Sequence, residues 1–281
     1  MNRAVGAGSQ GSASDSLPVP VLMYHDLVDA PRESPAAHRP YVVPVGAFRE
    51  QLRLLKEVGV VGRRLDDLLD SRPGPAGSAR TCVLTFDDGH ESNFTLALPL
   101  LLEAGFRATF YVTVGWIGRP PYMAWEQIKA LAAAGMEIGS HSLTHRPPAT
   151  LQRADLQIEM AESKKRLEDR LGLSVVSASS PTGFFNSEMI PVVQALGYRG
   201  LCTGRIALWR HPLERFRIPR IPVKLRTTPA EFGRMVLGDR WLLWRLRGEQ
   251  IVRDGLKAAL GVEGYSRLRR TLLRLVGPRA K

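Results

Sequence analysis

Cysteine is scarce: the 281 residues hold two, Cys82 and Cys202. Each sits in an apolar, strand-like run, TCVLTF and RGLCTG. The pair reads as buried reduced thiols, and nothing in it demands an oxidising compartment. Long apolar runs are missing too. No stretch approaches the roughly 18 residues of a spanning helix. The opening MNRAVGAGSQGSASDSLPVP has no apolar core of the kind a signal peptide needs. A cytoplasmic protein is expected, soluble or peripheral at the inner face of the membrane. Acidic residues are in deficit: 27 Asp and Glu against 39 Lys and Arg leave a formal charge of +12 and a pI near 10.3. Such a balance suits an anionic partner. The motifs that would make that partner nucleic acid are absent, with no zinc finger, helix-turn-helix or RNP-like segment beside the charge.

What is present is ample apolar material, 44% of the chain, enough for one core or one large α/β domain with an appendage. Residues 1–17, rich in Gly, Ser and Ala, are expected to be disordered. From Val19 onward, strand-like and helix-like segments alternate. VPVLMYHDL, TCVLTF, ATFYVTV, MEIGS, VSASS and YRGLCT read as strands. VGAFREQLRLLKEVGV places Phe48, Leu52, Leu55 and Val58 on one helical face. Leu156, Met160, Leu167 and Leu171 repeat at helical spacing, with Gly172 just beyond. About six repeats of strand and helix predict a parallel sheet with covering helices. In such folds the chemistry collects at the C-terminal strand ends. Tyr24–His25–Asp26, Asp87–Asp88, Ser140–His141 and Thr182–Gly183 all fall there.

Two of these ends make a constellation. His141 and His145, in SHSLTH, are one helical turn apart, so their rings can point the same way. The chain has only six histidines. With the adjacent carboxylates of LTFDDGH at a neighbouring strand end, two nitrogens and one oxygen can hold a divalent cation and leave a coordination position open. The cation also accounts for the paired aspartates: one ligates it, and the other stays ionised beside it as a base.

TFDDG, HSLTH and SSPTGFFN resemble the first three motifs of the polysaccharide deacetylases, the NodB-homology or carbohydrate esterase family 4 domain. The resemblance covers roughly residues 19–224. It implies a distorted (β/α) barrel of about seven repeats and a divalent metal, Zn²⁺ first with Co²⁺, Ni²⁺ or Mn²⁺ as alternatives. It also implies hydrolysis of N-acetyl groups on amino sugars. By position, Asp87 matches the general base, and Asp88, His141 and His145 match the metal ligands. The third motif departs from the family pattern. Ser179 and Ser180 stand where an arginine and a proline are usual, and Arg220 in RIPRIPV is the candidate replacement for that arginine. The family's C-terminal leucine–histidine motif is missing, and His211 is the only histidine after His145. LMYHDL resembles the start of the biofilm poly-N-acetylglucosamine deacetylases, which implies His25 as general acid, with Tyr24 and Asp26 to orient it. Thr182 and Gly183, grouped with Arg220, are the expected substrate-binding and oxyanion residues.

Residues 225–281 form the expected basic helical extension beyond an 18–224 catalytic domain. Residues 239–281 carry eleven Arg or Lys against four Asp or Glu, so 11 − 4 = +7. Trp241, Leu242, Trp244, Leu246, Leu268, Leu272, Leu273 and Leu275 give apolar faces suited to an anionic membrane surface. Helices packed on the barrel are the alternative. The expected partner is an N-acetylated amino-sugar polymer or a lipid-linked saccharide. Three other readings stand beside the deacetylase: a deformylase acting on a lipid-linked amino sugar, a non-catalytic glycan binder, and a membrane-surface protein working through its tail.

Overall fold

The computed structural model describes residues 18–29, 39–71, 80–183 and 186–275, with side chains of the last helix described to Leu256. The expected disorder of 1–17 lies outside these residues, as does most of the Pro-rich loop before Arg39.

Among the described residues the chain forms ten strands and eight α-helices. They run β1 (Val21–Tyr24), β2 (Asp26–Val28), β3 (Val42–Pro44), α1 (Val45–Glu57), β4 (Val60–Arg63), α2 (Leu65–Asp70), β5 (Arg80–Phe86), α3 (Leu98–Ala104), β6 (Thr109–Val112) and α4 (Trp125–Ala133). There follow β7 (Glu137–Ser140), α5 (Arg153–Leu171), β8 (Ser177–Ser179), α6 (Met189–Ala195), β9 (Gly200–Cys202), β10 (Ile221–Pro222), α7 (Pro229–Val236) and α8 (Arg240–Leu275). Strand order in the main sheet is β10-β1-β5-β6-β7-β8-β9, all parallel, with β4 on the first half of β5. A separate two-stranded sheet pairs β2 with β3. The sheet curls into the distorted (β/α) barrel that the alternation of segments predicts.

The strands alternate between two apolar environments, as buried parallel strands do. Leu22, Tyr24, Leu84, Phe86, Phe110 and Ala178 point outward under the helices, where α1 contributes Phe48, Leu52 and Leu55. Val58, expected on that face, caps α1 and is exposed. Val21, Val83, Tyr111, Cys202 and Ile218 point inward. Tyr111 fills the interior so closely that a Cβ on Gly139 would lie 2.5 Å from its ring. Leu65 N–H donates to Thr109 Oγ1 and Asp66 N–H to Glu137 Oε2. Both acceptors open their strands, so α2 plugs the N-terminal end of the barrel. Both cysteines are buried free thiols, each pushed up to about 12 by burial, and are chemically quiet.

Residues 218–222 close the barrel. Ile218 bridges to Cys202 of β9, and three residues later β10 pairs with β1. Beyond the closure, Phe232 and Met235 of α7 and Leu242 and Leu246 of α8 join the same core as the outward-facing strand residues.

Candidate active site

The strands that carry the paired aspartates and the first histidine are each prolonged by one backbone hydrogen bond past the last residue. Asp87 N–H donates to Tyr24 O at 3.0 Å, and His141 N–H to Val112 O at 2.9 Å. The inward alternation Val83, Thr85, Asp87 thus delivers the first carboxylate to the top of the interior. Past it the chain turns through left-handed conformations at Asp88 (φ 74°) and Gly89 (φ 83°). Asp tolerates this region better than most side chains.

The helical spacing inferred for His141 and His145 is not helical in the fold. Residues 141–147 form an irregular loop, with Ser142 at φ 65° and His145 at φ 62°. The loop still brings the rings to 4.9 Å between centroids. It is held from below by Glu159 of α5, whose carboxylate accepts the N–H groups of Leu143 (3.0 Å) and Thr144 (2.8 Å) and the Thr144 hydroxyl. Ser142 Oγ accepts the His145 N–H at 3.0 Å. Trp116 packs on the His145 ring at 4.8 Å and on Tyr122 at 4.7 Å. Asp88, Ser142, His145 and Thr182 are four of the five described non-glycine residues with positive φ. Their clustering at one place marks a functional site.

Both imidazoles approach one atom: His141 Nε2 and His145 Nε2 each lie 3.4 Å from Asp88 Oδ1. That buried oxygen has no hydrogen-bond partner among the described residues. The three ligating atoms lie within 4.8 Å of one another. His141 Nδ1 lies 3.0 Å from Ser179 O, which fixes the tautomer that leaves Nε2 as a ligand. This donor set can hold a divalent metal ion.

Asp87 is buried and meets Arg220 in a two-pronged pair, Nη1–Oδ1 and Nη2–Oδ2 both 2.7 Å. Arg220 also donates to Thr85 Oγ1 at 3.2 Å and Ser179 Oγ at 2.7 Å. Burial works to raise the Asp87 pKa, but the guanidinium and the neighbouring histidines outweigh it and hold the carboxyl below the usual range. Burial likewise opposes charge on Asp88, and the neighbouring His141, with His25 and His145, overrides it. His141 is raised, since the two carboxylates outweigh its burial. Burial, reinforced by His141, pushes His145 down to about 4.

A cavity of about 270 Å³ gathers His25, Asp87, Asp88, His141, His145, Thr182 and Gly183. Arg220 does not line it; the side chain lies behind Asp87, 1% exposed, so its contact is with the carboxylate rather than with a ligand. His25 packs on Tyr41 at 4.8 Å, and its carbonyl accepts Asn93 Nδ2 at 2.7 Å. Its Nδ1 has no partner among the described residues. Burial lowers its pKa, partly offset by Asp88 and Asp87. The orienting roles expected for Tyr24 and Asp26 go elsewhere: the Tyr24 hydroxyl donates to Gln51 Oε1 under α1, and Asp26 accepts the Ser92 hydroxyl. His211 sits at the opposite end of the barrel, 2.6 Å from the Leu68 carbonyl of α2.

Sequence reasoning missed Glu159, Gln250 and Arg253, and gave Ser179 no role of its own. A signal existed for Glu159: a carboxylate on the face of α5 that also presents Leu156 and Met160.

A family model described as polysaccharide deacetylase matches residues 75–201, which include the two aspartates, both ligand histidines and the Ser179–Gly183 turn. That stretch is thus similar to a polysaccharide deacetylase domain. Among curated relatives, YxkH of Bacillus subtilis, which bears the polysaccharide deacetylase name, is 28% identical over 184 residues, covering 64% of this chain and 62% of its own. The peptidoglycan-N-acetylglucosamine deacetylase of Bacillus cereus is 26% identical over 118 residues, 42% of this chain and 53% of its own. The chain thus spans less than two thirds of either relative. The fold matches Streptococcus pyogenes deacetylase PplD, solved in complex with acetate, at a TM-score of 0.72 with 22% identity, covering 79% and 99% of the two chains. It matches IcaB of Ammonifex degensii at 0.67 with 22% identity, covering 78% and 97%.

Proposed function

We propose that the protein hydrolyses the N-acyl group, most simply N-acetyl, of an amino sugar in a glycan. The observation that carries this is the juxtaposition in one cavity of a three-ligand cation site and a separately buttressed carboxylate. Asp88, His141 and His145 would hold the cation, and two imidazole nitrogens with one carboxylate oxygen suit Zn²⁺. Such a cation supplies Lewis-acid polarisation of an acyl oxygen and acidification of water. Asp87, kept ionised by Arg220, takes the proton from the attacking water. His25 donates a proton to the departing amine, its lowered pKa making the imidazolium a readier donor. The Thr182–Gly183 turn lies at the cavity wall, where a backbone N–H can meet a developing oxyanion. Asp87, Asp88, His141 and His145 are all present and gathered in one cavity, which disfavours the pure glycan-binding reading. The His25 placement favours the biofilm-type branch.

The test is reconstitution with zinc, followed by mass spectrometry of N-acetylglucosamine oligomers. Loss of acetyl groups is expected, with Asp87→Asn retaining the metal and losing turnover. A zinc-loaded protein that leaves every oligomer intact overturns the reading.

A second reading concerns the carrier. Trp241 and Trp244 are 77% and 71% exposed, their rings 6.2 Å apart, beside Arg234 and Arg245. Exposed tryptophans among arginines suit an anionic lipid interface and, with it, a lipid-linked amino sugar. No described helix is long and apolar enough to cross a membrane. Trp241→Ser with Trp244→Ser should lower partition onto vesicles of phosphatidylglycerol about tenfold or more; equal partition removes the lipid carrier.

A further inference from the structure

One wall of the cavity comes from α8, outside the family match. Gln250, Arg253 and Asp254 line it together with the residues named above. The wall is tied down. Gln250 Nε2 donates to Gly204 O at 2.6 Å, and Ile206 N–H donates to Gln250 Oε1 at 3.2 Å. Gly204 N–H in turn donates to Gly183 O at 3.2 Å. The two backbones are so close that a Cβ on Gly204 would lie 2.7 Å from Gly183 Cα. A side chain on α8 therefore braces the turn that carries Thr182 and Gly183. One and two turns earlier, Leu246 and Leu242 fix the same helix in the core.

Arg253 brings a cation to this wall. Its Nε lies 3.4 Å from Asp254 Oδ1, and its side chain is 28% exposed. Among the described residues its two terminal nitrogens have no partner. A half-sequestered guanidinium with Nε engaged and its fork unused suits two-pronged binding of an anionic oxygen group. A neutral sugar would give that fork nothing of matching charge, and binding it would still strip water from the guanidinium.

We propose that Arg253 is a specificity-determining residue of this cavity, binding a phosphate or carboxylate on the amino-sugar substrate beside the scissile amide, with Gln250 as the positioning residue that holds the wall. This deepens the hydrolytic reading above and rests on it.

The test uses the zinc-loaded full chain and three probes: N-acetylglucosamine 1-phosphate, N-acetylmuramic acid and uncharged N-acetylglucosamine. Arg253→Gln should lower kcat/KM about tenfold on at least one charged probe, mainly through KM, and stay within twofold on the neutral one. Arg253→Lys should recover part of the loss. The charged probe that responds separates phosphate from carboxylate. Equal loss on the neutral sugar, or no loss on either charged one, overturns the proposal. If the wild-type protein turns over none of the three, saturation-transfer NMR with N-acetylglucosamine 1-phosphate decides. Weaker binding by Arg253→Gln upholds the anion subsite while the hydrolytic reading falls, and equal or absent binding overturns the subsite itself.

Discussion

At the scale of single residues the site is a set of charges that depend on one another. Asp87 stays ionised although buried chiefly because Arg220 is there, with the histidines adding to the effect. Arg220→Met leaves the burial and removes the counter-charge, so the Asp87 pKa should climb. The acidic limb of the kcat/KM profile should move up by about one unit or more. Stripping one partner from a buried pair should also cost about 3–5 kcal/mol in denaturant unfolding. The histidine ligands predict a second pH effect. A cation needs both rings neutral, and His141, raised by its carboxylate neighbours, surrenders its proton last. Zinc affinity, read by chelator competition between pH 5 and 8, should therefore weaken as pH falls through the elevated His141 value, by one proton per cation. His145, pushed down to about 4, adds nothing over that range. At the barrel's other end Glu137 is raised to about 7 by burial and by the charge of Asp66. A carboxyl raised on folding contributes stability that is fully present below its unfolded value, about 4.3, and lost as pH rises through the folded one. Glu137→Gln should flatten the decline in unfolding free energy from pH 5 to 8, which a pH series of urea melts would measure.

At the scale of elements, the loop 141–147 depends on a helix it does not touch in sequence. Glu159→Ala should leave α5 intact, alanine being the better helix former. It would free two backbone N–H groups and the Thr144 hydroxyl. Zinc affinity should drop about 10–100-fold with circular dichroism unchanged; unchanged affinity would mean that the loop holds itself. The same element explains what could and could not be read from residue order. The candidate ligands Asp88, His141 and His145 were legible because Asp88 adjoins a second aspartate and the histidines are four apart, each at a strand end. The helical geometry inferred for the histidines was wrong, because left-handed Ser142 and His145 achieve by backbone reversal what a helical turn would achieve by pitch. Glu159 went unread because its partners are backbone amides, which leave no mark in side-chain pattern. Gln250 and Arg253 were hidden by a similar cause: their cavity neighbours are tens to hundreds of residues away, and a basic amphipathic segment looks alike whether it meets lipid or a barrel rim.

For the whole molecule, the alternation of strands and helices and the sorting of polar residues to one strand end carried the barrel in outline. The short β2, β3, β4 and β10 were not separable by composition, whereas β8 and β9, comparably short, stood out between helix-like segments. The tail divides its apolar residues between two tasks. Leu242 and Leu246, four apart, enter the core, while Trp241 and Trp244 remain outside. Removing residues 240–281 is therefore expected to do more than abolish surface contacts. It uncovers core positions of α7, and the melting temperature should fall by several degrees.

The segment that shuts the barrel also brings the charge that pairs with Asp87, from 133 residues further along the chain. A growing polypeptide can display both aspartates and both ligand histidines long before Arg220 exists. Until then the carboxylate has burial against it and no guanidinium in its favour. On the proposed mechanism, activity arrives with topological completion, and a molecule whose last strand has not docked lacks the ionised carboxylate that mechanism needs.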